Sequence, residues 1–439
     1  MRLSGWGRFP RAECRTLTAR SAGDAVRAVA EPGGLIARGN GRSYGDAALN
    51  SRLTLSMRGM DRMLAFDPDS GTLTCEAGVL LSDILDAFVP RGWFPPVTPG
   101  TKLVTVGGMI AADVHGKNHH GAGSFGDHVV SLDLLLADGR IVTCGPGREP
   151  ELFAATRGGM GLTGVILRAS VRLIPVTTAY VRQETLRADD LDGIMGMFEE
   201  SGGWTYSVAW IDCLARGARL GRSLMFRGEH AGVDELPQEL RSDPLSCRQR
   251  RPLTVPLDFP GFVLNNWTVG AFNELYWRRG TPRETVVDYD TFFYPLDALL
   301  QWNRIYGRSG FFQYQCVLPK AVSAAGLRSL LETIASTGNA SFLAVLKLFG
   351  RQEGVLSFPM EGYTLALDFP ANAASMNLML ALDRIVADHG GRLYLAKDAR
   401  MGTSLLRQGY PALENFKALR GAHRLEGTFR SLQSERLGL

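Results

Sequence analysis

Two glycine-dense segments carry the residue types best able to hold an anion. The first is Ala37–Asp46, ARGNGRSYGD, and the second is Pro99–His120, PGTKLVTVGGMIAADVHGKNHH. Without Cβ atoms in the way, successive backbone N–H groups can converge on one phosphate. In the first segment Gly39, Gly41 and Gly45 free the backbone around Arg38, Asn40, Arg42, Tyr44 and Asp46, and Ser43 adds a hydroxyl. In the second, Gly100, Thr105, Val106, Gly107 and Gly108 lead into Ala112, Asp113, Val114 and His115. Small residues there let backbone approach a flat ring closely. A third loop, Gly158–Gly164, runs into a strand beginning at Val165. Together the three loops predict a cofactor with a pyrophosphate and a second polar end. No helical pattern opens directly after the first loop, which disfavours a Rossmann nicotinamide site. Four of the seven histidines lie within His115–His128, beside Asp113 and Asp127. A metal centre is the alternative there, but the spacing matches no recognised ligand set, and no metal is expected.

Other candidates point to a sugar or a phosphate. Gln313 and Gln315 are two apart on a probable strand, so they share one side. Two amides there suit sugar hydroxyls, or else face solvent. Lys347 interrupts the apolar run Phe342–Phe349, either as an edge charge or as a phosphate contact. Lys397 lies in Tyr394–Asp398, where it either pairs with Asp398 on the surface or enters a pocket.

These side chains need a scaffold. Residues 17–60 read as βαβ, with a helix at Ser21–Ala30 capped by Ser21 and a strand at Leu35–Arg38. Thr72–Ala77 reads as a strand, followed by a helix carrying Leu80, Leu81, Ile84, Leu85 and Phe88. Leu132–Ala137 and Ile141–Cys144 form a hairpin around Asp138-Gly139, a pair favoured in two-residue turns. Val165–Ile174 alternates as a half-buried strand. From about Thr178 aromatics increase. Strands are expected at Tyr206–Asp212, Thr291–Tyr294, Phe311–Leu318, Phe342–Phe349 and Thr364–Phe369, with helices at Ala321–Ser336 and Ser375–His389. This pattern predicts an α+β fold of two domains. Residues 1–178, completed by 390–439, form the cofactor domain, and 179–389 form the substrate domain.

Composition narrows the classes further. A net charge of +4 over 439 residues is too mild to argue for nucleic acid. The one basic run, Arg248–Arg251, reads as a solvated face or as a patch meeting an anionic surface. Six scattered cysteines without a CxxC exclude a zinc ribbon and disfavour a disulfide framework. No apolar leader and no run of eighteen apolar residues is visible, so the expected location is cytoplasmic, with peripheral contact at the inner membrane left open.

RSYGD, the TPGT–TVGG–DVHGKNHH–AGSFG run and ATRGGMGLTG together resemble the FAD-binding (PCMH-type) domain of the vanillyl-alcohol-oxidase class. LSGWGR, YSVAWID, GFFQYQ, LKLFG and LYLAKDAR extend the likeness nearly end to end. They resemble, more narrowly, the decaprenylphosphoryl-ribose 2′-oxidase family of cell-wall arabinan synthesis. The resemblance implies FAD held by Arg38–Asp46, Gly100, Thr105–Gly108, Ala112–His115, Ile166 and Tyr394. It implies a substrate pocket of Tyr44, Trp210, Gln313, Gln315, Lys347, Ala366 and Lys397, with Lys397 and Tyr44 nearest the chemistry. The implied reaction oxidises C2′ of a polyprenyl-phosphate pentose to the ketone, and a partner short-chain reductase completes epimerisation to the arabinose form. A soluble alditol or aldonolactone oxidase of the same class, on free sugars, is a second expectation, and a flavin-binding scaffold without turnover a third. Two departures stand out. Ala366 replaces the family's pocket cysteine and Thr364 an asparagine. Arg42 stands where relatives in the class tether FAD through histidine, so non-covalent FAD is expected.

Overall fold

The computed structural model describes residues 1–247, 252–260, 266–338, 341 and 343–439. The basic run Arg248–Arg251 and Phe342, which starts an expected strand, lie outside the described residues.

The fold is α+β, built on three principal sheets. Near the N-terminus, strands Thr16–Thr18, Thr54–Ser56 and Ile36–Arg38 pair in parallel, with Thr54–Ser56 in the middle. The connecting helix Ala22–Val29 starts at Ser21, whose side chain accepts from the Asp24 amide at 3.2 Å. The Ile36–Arg38 strand delivers the chain straight into the first glycine loop. A five-stranded antiparallel sheet follows, in the order 141–144, 129–135, 165–172, 72–76, 63–67. Its 165–172 strand bulges at Leu167 against 129–135, so Ile166 and Leu167 are both buried within an otherwise alternating strand.

The third sheet has eight strands, in the order 283–288, 180–188, 223–230, 206–211, 344–349, 362–370, 311–319, 392–393, all antiparallel. Helices Ser323–Thr337 and Ala373–Asp388 bury Leu327, Leu331, Leu378 and Leu382 in the core that also holds Cys316, Leu365 and Leu367 of the sheet. The opposite face of the sheet is left for the site.

Two local expectations are corrected. The hairpin at Asp138-Gly139 is a three-residue loop. The Leu136 amide donates to Arg140 O at 2.9 Å and Gly139, at φ +83, donates to Leu136 O at 3.1 Å. A type I turn closed by a left-handed glycine gives this geometry. Thr291–Tyr294, expected as a strand, is the end of helix Tyr289–Phe293 and its C-cap Tyr294. Asp288 caps that helix by accepting from the Thr291 amide at 2.7 Å, and Tyr289, Phe292 and Phe293 go into the core.

The C-terminal tail, expected to complete the cofactor domain, serves two sheets. Arg392–Leu393 adds an edge strand to the eight-stranded sheet, and Phe429 bridges Leu35 in parallel. Helix Leu432–Leu437 carries Arg436, whose guanidinium reaches Asp46 Oδ1 and Asp398 Oδ2, each at 2.8 Å. One cation thus fastens the end of the glycine loop to the loop bearing Lys397. Both carboxylates are almost fully buried, at 5% and 2% side-chain exposure, so each needs this partner. Arg436→Met is expected to cost about 3–5 kcal/mol in urea unfolding, because it strands two enclosed carboxylates without a counter-charge. A loss below about 0.5 kcal/mol, the level of an ordinary surface substitution, would show that the tie is dispensable.

Candidate active site

A single cavity of about 590 Å³ runs between the glycine loops and the open face of the eight-stranded sheet. One arm is walled by backbone. Arg38–Gly45, Pro99–Thr101, Leu103–Thr105, Gly107, Gly108, Ala111, Ala112 and Gly161 line it. Among the described residues the amides of Asn40, Gly41, Arg42 and Ser43 donate to no protein acceptor, as an anion cradle requires. The loop tolerates no side chain there. A Cβ on Gly39 would stand 2.1 Å from Thr105 Oγ1, and one on Gly41, at φ +64, 2.3 Å from Arg38 Nη2. Thr105 caps helix Val106–Ala111 by accepting from the Gly108 amide at 3.2 Å. Tyr394 lines the same arm and donates its hydroxyl to Ala112 O at 2.8 Å. An anion cradle that leads into a narrow, apolar, backbone-lined arm fits a flavin dinucleotide.

Three residues expected to face the cofactor stand behind the wall. Asp46 is spent on Arg436. Val106 is wholly buried in the core, and its amide donates to Val79 O at 2.9 Å. The Asp113 carboxylate accepts from Ser124 Oγ at 2.5 Å, from the Gly126 amide at 3.0 Å and from Ser357 Oγ. Each supports the arm without lining it. The histidines do not gather either: His119 meets Gln352, His120 meets Trp204 O and His128 meets Ala122 O. Among the described residues no three His, Cys, Asp or Glu side chains could share a metal ion.

The other arm is a sheet face, and strand register builds it. Trp210 pairs with Val345, Val345 with Ala366, and Ala366 with Gln315, giving one row across four strands. The next residues on this face are Lys347, paired with Thr364, and Gln313, paired with Asp368. All of these except Asp368 line the cavity. Gln315 Nε2 lies 3.1 Å from His115 Nε2 and 3.2 Å from Thr364 Oγ1. Burial, then the charges of Lys347, His119 and Lys397, hold the His115 pKa well below its ordinary value. The ring is therefore neutral, and its Nε2 accepts from the amide. Gln313 Nε2 donates to Asp368 Oδ1 at 2.6 Å. Burial lifts the Asp368 carboxyl to about 7.

Lys397 is in the cavity wall, not in a surface pair. Its ammonium sits 4.0 Å from the Tyr44 ring centroid. Asp398 instead accepts from Arg436 and from the Arg400 and Met401 amides. The Tyr44 amide donates to Ala396 O at 2.9 Å, which stitches the glycine loop to the lysine loop. Lys117 also lines the cavity, and its Nζ donates to Phe292 O and lies 4.2 Å from the Phe292 ring centroid. Enclosure lowers all three lysines: Lys117 to about 7, Lys397 to about 7 and Lys347 to about 8. The charge of Lys347 adds to the effect on the other two. None of the three forms an ion pair among the described residues.

Lys117, Asp297, Trp6 and Trp302 were missed from sequence. Lys117 sits two residues after His115, inside the quoted DVHGKNHH motif, so its position relative to that histidine was an available signal. Asp297 accepts from Thr101 Oγ1 at 2.7 Å and from the Lys102 amide at 2.8 Å. That contact spans the chain, and nothing local signals it. Arg42, read as the replacement for a tethering histidine, lays its guanidinium 3.9 Å from the Trp6 ring centroid and donates to Leu103 O.

Two outcomes follow from this geometry. Acid precipitation is expected to release all flavin colour into the supernatant, because Arg42 offers no bond to the ring; colour kept by the pellet would contradict this. Lys347→Met is expected to melt higher than wild type at neutral pH without cofactor. Below about 8 the lysine is charged in both folded and unfolded chains, so folding bears the full cost of enclosing the charge. As pH rises towards 10.5 the unfolded chain also loses the proton, and the gain should fade. A constant difference across that window would place the ammonium in solvent.

The comparisons agree with the site. The FAD binding domain family matches residues 18–145. A decaprenylphosphoryl-β-D-ribose oxidase of Mycolicibacterium smegmatis is 40% identical, over 100% of this chain and 97% of its own length. An uncharacterised Streptomyces coelicolor protein is 37% identical over 82% of this chain and 100% of its own. The L-gulonolactone oxidase of Mus musculus is 32% identical, but over only 31% of each chain. The protein is an FAD-dependent oxidoreductase acting on CH–OH groups, and the chain belongs to the decaprenylphosphoryl-β-D-ribose oxidase family.

Proposed function

We propose that this enzyme oxidises the C2′ hydroxyl of a polyprenyl-phosphate pentose to the ketone, as the first half of an epimerisation towards an arabinose donor for the cell envelope. A short-chain reductase would complete that epimerisation. One observation carries the substrate class: three ammonium groups share an enclosed cavity with no carboxylate paired to any of them. Such a cluster is stabilised by an anion, and a phosphate supplies one. The full-length likeness to a decaprenylphosphoryl-β-D-ribose oxidase supports the same reading. The aldonolactone reading rests on relatives that match about a third of the chain, and an uncharged lactone would leave the lysines unpaired.

Bound FAD supplies the hydride acceptor. The chain's own groups position the sugar and manage its proton. Gln313 and Gln315 present amides to ring hydroxyls from one strand face. Lys347 and Lys117 take the phosphate. Lys397, beside Tyr44, contacts the reacting hydroxyl. With a pKa of about 7 it is present in both forms near neutrality, so the free amine can accept the hydroxyl proton as hydride leaves carbon. Asp368, close behind through Gln313, raises the lysine's proton affinity against burial. Ala366 leaves the centre of the Trp210–Gln315 row without a thiol, and no step requires one.

These roles separate in kinetics. Lys397→Ala should keep the flavin spectrum but lose about a hundredfold or more in the rate of flavin reduction by polyprenyl-phosphoribose. Lys347→Met and Lys117→Met should instead weaken binding of that substrate, with the limiting rate largely kept. Wild-type reduction rates in Lys397→Ala would remove the lysine from the chemistry. Unchanged affinity in both methionine variants would remove the phosphate from that corner.

A further inference from the structure

Helix Asn266–Arg279 keeps most of its apolar side chains on its exposed side. Val269, Asn273 and Glu274 face the protein, while Thr268, Arg278 and Arg279 are exposed. Asn273 is buried and donates Nδ2 to Asp212 Oδ1 at 2.7 Å, and Glu274 pairs with Arg222 at 2.8 Å. Arg222 in turn pairs with Asp212 at 2.7 Å, and Trp277 packs against Arg222 and Arg187. At helical spacing the opposite half of the circumference carries Trp267, Ala271, Phe272, Leu275 and Tyr276, all exposed, with exposed Thr268, Arg278 and Arg279 among them. Trp267 is 87% exposed and Leu275 49%. A globular helix normally turns this half inward, so the arrangement signals a partner for the apolar side.

The place of this face says which partner. Phe272 and Tyr276 stack on one another at 5.6 Å and both line the cavity, so the apolar face continues into the site. Leu253, 71% exposed, pairs in parallel with Leu299, another residue that lines the cavity. Exposed apolar side chains thus adjoin the cavity lining on two elements. By sequence, residues 248–283 carry six arginines against two acidic residues; Arg248, Arg250 and Arg251 lie outside the described residues, Arg278 pairs with Glu274, and Asp258 and Glu274 also pair with Arg8 and Arg222. Exposed aromatic and aliphatic side chains interspersed with exposed Arg278 and Arg279 suit an interfacial element on an anionic bilayer.

We infer that this helix, with the strand at Leu253–Thr254, docks the mouth of the cavity onto the surface of an anionic lipid bilayer, so that a lipid-linked substrate enters without its chain crossing water. The role in substrate entry rests on the polyprenyl-phosphate reading above, while docking itself is tested without substrate. No membrane crossing is involved: among the described residues no helix is long and apolar enough for it.

The test is co-sedimentation of the holoenzyme with two kinds of vesicle, equal parts phosphatidylglycerol and phosphatidylcholine, or phosphatidylcholine alone. Binding is expected to the first and to be much weaker to the second. The triple variant Leu253→Ser, Trp267→Ser, Leu275→Ser should lower the bound fraction about tenfold or more while keeping bound FAD and melting temperature. Arg279→Glu, which leaves the apolar face intact, should weaken binding to the anionic vesicles alone. Wild-type protein that binds neither vesicle overturns the inference, as does binding that the triple variant leaves unchanged. Wild-type protein that self-associates through this face, becomes monomeric in the triple variant and ignores vesicles also overturns it, by naming a second copy as the occupant. Failure here leaves substrate specificity untouched, since that is read from flavin reduction by a solubilised substrate.

Discussion

Enclosed positive charge is the constraint on which the site depends. Lys117, Lys347 and Lys397 line one cavity, and burial depresses the pKa of each. An unpaired buried ammonium is costly, and three of them are tolerated only where an anion will arrive or where a proton is meant to leave. Both conditions suit an enzyme that holds a phosphorylated sugar and takes a proton from its hydroxyl. The neutral His115, whose Nε2 accepts from Gln315, keeps a fourth positive charge out of the same space.

The scaffold serves this arrangement by register and by a few ties. Antiparallel pairing sets Trp210, Val345, Ala366 and Gln315 in one row, so a single slip on any strand would turn its contribution into the core. The cofactor arm is positioned separately, by parallel strands that feed the glycine loop and by Thr105 capping the short helix beside it. Three links hold the two arms together: the Tyr44 amide on Ala396 O, the Tyr394 hydroxyl on Ala112 O, and Arg436 on Asp46 and Asp398. The glycine-loop arm and the sheet face thus meet at Lys397 and Tyr44.

Much of this was legible in the chain, for reasons that differ by residue. Glycine loops announce themselves because only glycine survives where a Cβ would collide, as at Gly39 and Gly41. The period of two along a strand put Gln313 and Gln315 on one side, and packing turned that side to the cavity rather than to solvent. Lys347 and Lys397 each had a surface reading as well, and only packing decided between the two. Lys117 was hidden by its neighbours, since a glycine and histidine motif drew attention to backbone and ring contacts instead. Asp297 reaches the loop across nearly two hundred residues of chain, so no window could show it. The aromatic run at Thr291–Tyr294 looks like a strand by propensity, yet the Asp288 cap and burial of both phenylalanines make it a helix. Asp46, Val106 and Asp113 came from the resemblance, but they brace the wall from behind.

The most direct measurement of the central claim is anaerobic reduction of the wild-type flavin, followed at its visible absorbance band. Three ligands are titrated in parallel: a polyprenyl-phosphate pentose, the same free pentose, and an aldonolactone. If the lysine cluster selects a phosphorylated sugar, the first bleaches the flavin at low concentration and the other two do so poorly or not at all. Equal or better reduction by the lactone would contradict the account, because the three enclosed charges would then have no part in choosing the substrate.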